Sequence, residues 1–351
     1  MMQQHNLREQ FRRGNANLTL FVAQHTGARG PDDKTRKWIK TMQDTIGIDV
    51  SKSLLDVFCL TTGTHRQFTN DRSGCAMLLR WIGTAPVRIV FEPSGPYHRL
   101  LEQLLTRAGI AMVKVNPRYA RRFAEATGRL AKTDRIDAKL LARMGATLDL
   151  QARSGPSDVH RDLREMSLAR RALIKDRTAA RNRQHVAQNA IIRRQMKARR
   201  SQIEKQIGEI ERAMSAIIAA DEALARRLEI LASIPGIGPV TAMAIIVEMP
   251  ELGSLEGKQA ASLAGLAPIT RESGSWKGRS RIQGGRASLR CGLYMPALVA
   301  LRLNPDLHRK YEALKEAGKP SKVAIAAIMR KLIVLANALI RDDRTWSTQA
   351  T

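Results

Sequence analysis

The order of strand-like and helix-like runs between residues 45 and 152 leaves this chain few architectures. In Thr45-Ile46-Gly47-Ile48-Asp49-Val50, the residues Ile46, Ile48 and Val50 fall on one face of a strand and Asp49 on the other. Two more strand-like runs, Leu54 to Leu60 and Arg66 to Thr69, follow, with Thr62-Gly63-Thr64 as the turn between them. The pattern then predicts a helix over Cys75 to Ile82, a short buried strand from Val87 to Phe91, a helix from about Tyr97 to Ala108 and a strand from Ile110 to Val115. Asn116-Pro117 opens another helical piece, and Thr133 starts one more. Neighbouring strands followed by helix–strand alternation describe an α/β sheet covered by helices.

The last of those helices begins with unusual chemistry. Lys132-Thr133-Asp134-Arg135-Ile136-Asp137-Ala138 sets a hydroxyl at the N-cap and carboxylates in the first turn, ahead of good helix formers. Residues three apart on a helix are surface neighbours, so Asp134 and Asp137 can converge on one point. Two other carboxylates stand out by position: Asp49, on the non-aliphatic side of a strand built to be buried, and Glu92, at the end of a strand just before Pro93-Ser94-Gly95-Pro96. A charge beside a buried strand is costly unless it is paired or metal-bound. Four such carboxylates on an α/β scaffold are the donor set that holds two Mg²⁺ ions about 3.5–4 Å apart for phosphodiester chemistry. The residues alone leave another reading open, since acidic first turns are ordinary at helix starts and isolated carboxylates are commonly solvated or paired with arginine.

Beyond residue 157 the chain changes character. Asp158 to Ala220 reads as long charged helix without internal proline, and Ile203, Ile207, Ile210, Met214 and Ile217 repeat at four, three, four, three, a coiled-coil seam. Asn182 to His185 is a candidate turn of a helical hairpin, which would present a basic face, a dimer surface or a plain spacer. Further on, Pro235-Gly236-Ile237-Gly238-Pro239 joins two helical runs like a helix-hairpin-helix, whose glycines allow close approach to a phosphate; a structural turn between helices explains it equally. Ala287 to Arg302 reads as one helix kinked at Pro296. Val323 to Ile340 is strongly apolar but interrupted by Arg330 and Lys331, so a buried helix is expected and no membrane partner. The expected organisation is a disordered basic arm over 1–41, with Met42 a possible alternative start, a catalytic α/β domain over 42–152, a coiled-coil helical segment over 153–221 and a mainly helical domain over 222–345.

Charge narrows the partner. The 351 residues carry 59 Lys and Arg against 32 Asp and Glu, a formal net charge of +27, which implies a polyanion and nucleic acid before membrane. Aromatics are only 4%, which disfavours a single-strand stacking platform and favours backbone contact. Cys59, Cys75 and Cys291 show no metal-ligand spacing and suit small apolar fillers in a reducing cytoplasm.

Several separate motifs carry a family resemblance. Gly47-Ile48-Asp49-Val50-Ser51-Lys52, Glu92-Pro93-Ser94-Gly95-Pro96-Tyr97, Asn116-Pro117 and Lys132 to Ala138 resemble the DEDD block of the IS110-family insertion-sequence transposases, a family that includes the Piv-type invertases. Ile234 to Gly238, Ala264 to Pro268, Arg271-Glu272-Ser273-Gly274-Ser275, Gly278 and Leu289 to Ala297 match in the second half, in the same order. The resemblance implies a RuvC-like, RNase H-type fold for the first domain, with Asp49, Glu92, Asp134 and Asp137 as ligands of Mg²⁺. It implies a nucleophilic serine matching Ser273, activated by an acidic metal site brought from the other domain. From the residues alone, Ser275 and Ser280 rival Ser273; no histidine lies near it, and Glu272 is a weak candidate base. Arg271, Lys277, Arg279 and Arg281 are candidates to hold phosphates, with Lys52, Lys132, Gly236, Gly238, Arg286 and Arg290 as further nucleic-acid contacts. The resemblance further implies double-stranded DNA partners at element ends and target, a homo-oligomer (dimer or tetramer) and a non-coding guide RNA that pairs with both DNAs. Two alternatives stand beside it: a RuvC-like nuclease in which water attacks, and a non-catalytic nucleic-acid-binding protein.

Overall fold

The structure, a computed structural model, describes residues 44–84, 87–128, 134–148, 150, 152, 155–270, 272–278 and 280–347. The basic arm expected over 1–41 lies outside the described residues. The chain divides into two compact units between Ser157 and Asp158.

The first unit is built on a five-stranded sheet of β1 (Asp44–Val50), β2 (Leu54–Cys59), β3 (His65–Thr69), β4 (Val87–Phe91) and β5 (Met112–Lys114), in the order β3-β2-β1-β4-β5. The first three strands form an antiparallel meander, while β4 and β5 run parallel to β1. Parallel pairs need crossovers. These are supplied by α1 (Arg72–Ile82), capped by the Asp71 side chain accepting from Gly74 N at 2.7 Å, and α2 (Arg99–Arg107).

Strand alternation sorts the side chains between two layers. Ile46, Ile48, Leu55, Val57, Ile89 and Phe91 form one core with Leu78 of α1 and Leu101 and Leu105 of α2. The opposite face is covered by α3 (Pro117–Ala126) and α4 (Asp134–Thr147), where Val90 and Val115 meet Ala120, Leu141 and Met144. This mixed sheet between helices is compatible with an RNase H-like fold.

The second unit opens with a hairpin of two long helices, α5 (Asp158–Val186) and α6 (Ala190–Ala219). Helix α5 runs through Asn182 to His185 to end four residues beyond the start of that candidate turn. The reversal falls instead at 187–189, where the Asn189 side chain caps α6 by accepting from Ile191 N at 2.8 Å. Arg183 and Gln184 favour helix, so the chain continues through Asn182, and it is Asn189 that serves as the N-cap after the turn. Ile203, Ile207 and Met214 turn inward as the seam requires, but Ile218 is fully buried and Ile210 and Ile217 only half so. The apolar face is thus a stripe wide enough to meet α8 as well as α5, broader than a two-helix seam.

Helices α7 (Glu222–Ser233), α8 (Pro239–Glu248), α9 (Gly257–Leu263), α10 (Ala287–Gly292), α11 (Tyr294–Leu303), α12 (Pro305–Glu316) and α13 (Ser321–Arg341) complete the unit. The kinked helix expected over Ala287 to Arg302 is two helices. The break falls before Pro296, which sits in the first turn of α11, where a missing N–H costs nothing. Among the described residues, α13 is the one helix long and apolar enough to cross a membrane. Its Ile328, Leu332, Ile333, Ala336 and Leu339 are fully buried at the centre of the second core. Buried Asn337 ties it to the loop after α8, accepting from Gly253 N at 2.9 Å and donating to Leu255 O at 2.7 Å.

Candidate functional site

Strand register places two of the expected carboxylates side by side. Ile48 of β1 is level with Phe91 of the parallel strand β4, so the next residues, Asp49 one short of the end of β1 and Glu92 just past the end of β4, stand at the same level. Both are half-buried. Asp49 and Gly47 share the face of β1 that α4 covers, and Gly47 sets how closely that helix approaches. A Cβ on Gly47 would stand 2.0 Å from Ala138 O and 2.4 Å from Ala142 N, so only glycine admits the helix backbone here. At the other end of α4, Gly145 lies against Val90 and Thr45, and its carbonyl accepts from Arg88 Nη1 at 2.9 Å. The helix therefore runs back along β1, and its first turn, with half-buried Asp137, comes to the strand end that carries Asp49.

Asp134 opens the same turn; its side chain, like all of Lys132, lies outside the described residues. Among the described residues no three His, Cys, Asp or Glu side chains gather as a ready metal centre. The donor set nevertheless suits a hard cation, being carboxylate oxygen on two rigid strands and one helix start.

Two supporting residues escaped the sequence reading. Asp56, directly opposite Asp49 across the β1–β2 ladder, is 5% exposed. Its carboxylate accepts from Gln67 Nε2 at 3.2 Å and lies 3.2 Å from His65 Nε2, so polar partners on β3 offset the burial of a second charge beside Asp49. The signal was a polar residue alternating within an apolar strand. Asn70 donates from Nδ2 to Ser51 O at 2.7 Å and to Tyr97 O at 3.1 Å, tying together the loops that follow Asp49 and Glu92. Nothing in its local sequence announces that role.

In the second unit, Ser273 lies near the tip of a β-ribbon. The outer pair is β6 (Pro268–Ile269) with β9 (Arg281–Ile282), and the inner pair is β7 (Glu272–Ser273) with β8 (Trp276–Lys277). Ser273 pairs with Trp276 across a two-residue turn, Gly274-Ser275, whose first residue has φ +57°, as a type II′ turn requires. Ser273 is exposed, and among the described residues its hydroxyl has no hydrogen-bond partner. Ser275 is exposed like it, while Ser280 Oγ sits 3.2 Å from Thr270 Oγ1.

The basic candidates divide. Arg281 and Lys52 are exposed. Arg286 instead makes a two-pronged ion pair with Glu251 at 2.8 and 2.6 Å, and Arg290 Nη1 donates to Gly284 O at 2.8 Å and Gly265 O at 3.2 Å. Both hold the root of the ribbon. Gly236 has φ +94° and lies against α11, where a Cβ would be 2.5 Å from Pro296 O, so helix packing accounts for it; Gly238 is exposed with open space beside it. Arg271 and Arg279 lie outside the described residues, as does the Lys277 side chain.

A mixed sheet with carboxylates at the ends of adjacent parallel strands, and a helix start brought to them, is the arrangement expected of a DEDD catalytic domain. Sequence comparison gives the same class: the DEDD transposase profile matches residues 46–191, and that of the transposase IS116/IS110/IS902 family matches residues 228–312. The pilin gene-inverting protein of Moraxella lacunata is 32% identical over 316 residues, 86% of this chain and 97% of its own length; that of Moraxella bovis is 31% identical over the same span. A 44.8 kDa protein of insertion element IS116 from Streptomyces clavuligerus is 33% identical over 124 residues, 34% of this chain and 31% of its own. The chain belongs to the IS110 family of DEDD transposases, and with that membership it is a DNA transposase or recombinase.

Proposed function

We propose that this protein cleaves and rejoins double-stranded DNA to mobilise an insertion sequence, through a RuvC-like carboxylate centre and a serine nucleophile. The observation that carries the proposal is the level placement of Asp49 and Glu92 on adjacent strands, with α4 held against β1 by Gly47. Asp49, Glu92, Asp134 and Asp137 would hold two Mg²⁺ ions, whose charge would neutralise phosphate and polarise the scissile phosphodiester. Ser273 Oγ forms a bond to phosphorus as one phosphorus–deoxyribose oxygen bond breaks, and its proton ends on the leaving deoxyribose oxygen. Attack by a second DNA hydroxyl on the phosphoserine then restores the serine and makes the exchanged strand. The exposed ribbon tip supports this role, since a nucleophile that reaches duplex DNA must stand clear of the core. A structured non-coding RNA guides the choice of donor and target, the protein works as a homo-oligomer in the cytoplasm, and its own contacts are mainly to backbone.

A water-using nuclease is the second reading, favoured by the unpartnered Ser273 hydroxyl. Strand cleavage by Asp49→Asn, Glu92→Gln and Asp137→Asn variants, with and without Mg²⁺, tests the carboxylate part. Loss of at least about 10²-fold in each variant, and dependence on the ion, is expected. Cleavage that survives Asp137→Asn undiminished would contradict the carboxylate centre, and a wild-type protein that binds duplex DNA but cleaves none of it with Mg²⁺ would favour a nucleic-acid-binding role with vestigial carboxylates.

A further inference from the structure

The helical hairpin holds a charge distribution that the strand-cleaving chemistry does not use. Helices of 29 and 30 residues each span about 45 Å. At the root of the hairpin, Leu163, Met214 and Ile218 pack with Met243 and Val247 of α8. Arginines there have carboxylate partners: Arg161 with Asp158, Arg170 with Glu211 at 2.6 Å, and Arg171 with Glu248 at 2.7 Å. Toward the turn this pairing stops. From residue 177 to 203 the chain has eight Lys and Arg and no Asp or Glu. Arg200 reaches Glu204 at 3.7 Å, but Arg181, Arg183, Arg193, Arg194, Lys197 and Arg199 are exposed and form no ion pair among the described residues.

An ordinary solvated helix mixes its signs and gains i,i+4 pairs. A one-sign segment forgoes those pairs and repels itself until a polyanion covers it. We propose that the outer part of this hairpin is an arm that grips duplex DNA by its phosphates, independently of base sequence. The inference goes beyond the serine and carboxylate chemistry and does not depend on it. Two facts favour DNA over a lipid surface. The family acts on DNA, and the exposed aliphatics of the arm, Val186, Ile191 and Ile192, cluster at the turn, whereas a membrane-surface helix carries an apolar stripe along its length. Both helices contribute exposed cations, Arg181 and Arg183 from α5 and Arg193, Arg194, Lys197 and Arg199 from α6, and duplex DNA offers one phosphate charge per about 1.7 Å of axis to meet them.

The test uses the full chain and a duplex unrelated to any element end. Arg181→Gln, Arg193→Gln, Arg194→Gln and Lys197→Gln together should lower the slope of log affinity against log salt by about three to four, the counterions of four phosphates. The matching four-lysine set (Arg181→Lys, Arg193→Lys, Arg194→Lys with Lys197 kept) should retain the slope, and helical circular dichroism should be unchanged in both. The arm is refuted if the folded glutamine variant binds duplex with the original slope. It is equally refuted if the glutamine set alters only binding to anionic phosphatidylserine vesicles, only binding to duplex RNA, or only the oligomeric mass in light scattering.

Discussion

Asp49 and Glu92 are set level by strand register, and Asn70 ties together the loops that follow them. Its amide carries two hydrogen bonds to the loops that follow the carboxylates, so Asn70→Ala should cost about 1–3 kcal/mol of stability to the first unit. It should also reduce strand cleavage more than DNA binding; denaturant titration beside cleavage and binding assays checks both. The thiols give a second test. Burial pushes the Cys75 thiol up to about 11 and raises that of Cys59 as well, whereas Cys291 is exposed on α10 rather than the apolar filler expected of it. Iodoacetamide at neutral pH should therefore label Cys291 in the folded protein and the other two only after unfolding, with mass spectrometry as the readout. Asp49 and Glu92 could be singled out as candidates because a charge beside a buried strand is costly unless paired or metal-bound, and the strand register sets the two level with each other. Asn70 could not, because its partners lie 19 and 27 residues away and no local pattern encodes them.

At the scale of elements, the strands along the chain could be read from their apolar patterning, because each has a face on a core and a slipped register would expose it; their order in the sheet was not among the expectations. Helix ends were less legible. The hairpin turn and the break before Pro296 were both displaced from expectation, one by a cap residue and the other by a proline that tolerates the first turn of a helix. What the sequence could not reveal is the contact between β1 and α4. Gly47 looks like one more strand residue until the backbone of Ala138 is seen against it. Gly47→Ala should push α4 off the sheet, destabilise the first unit by about 1–3 kcal/mol or more and abolish cleavage by moving Asp137. Thermal denaturation and cleavage measured together check this; a variant of unchanged stability and activity would mean that α4 does not set the site. The ribbon root makes a parallel case. Arg286 and Arg290 read as phosphate contacts from charge alone, yet their partners are Glu251 and backbone carbonyls. Glu251→Gln should therefore lower cleavage while leaving the salt dependence of DNA binding unchanged.

For the molecule as a whole, the excess of positive charge is its most legible property and the least specific. It announces a polyanion without saying which elements meet it; Arg170, Arg171 and Arg286 turn out to be paired with carboxylates, whereas Arg181, Arg193, Arg194 and Lys197 of the hairpin are exposed, as are Lys52 and Arg281 elsewhere. A pH dependence of stability is expected from half-buried histidines in both units. Burial first, opposed by Glu102, holds His98 below its ordinary 6.5; burial first, then Arg164, lowers His160, which Glu251 and Arg286 also face. A lowered pKa in the folded state means that the unfolded chain binds protons first as the solution is acidified. Stability is then full above about 6.5 and falls as pH drops from there through the lowered folded values, which melting temperatures between neutral and mildly acidic pH would record. His160→Gln should flatten that fall for the second unit. The central claim, that Ser273 attacks DNA phosphorus in a reaction the carboxylates support, is tested most directly by trapping the protein on substrate DNA and mapping any covalent link by mass spectrometry. A phosphoserine adduct at Ser273, absent in Ser273→Ala and in Asp137→Asn, is the predicted result; hydrolysed DNA ends with no adduct on the wild-type protein would contradict it.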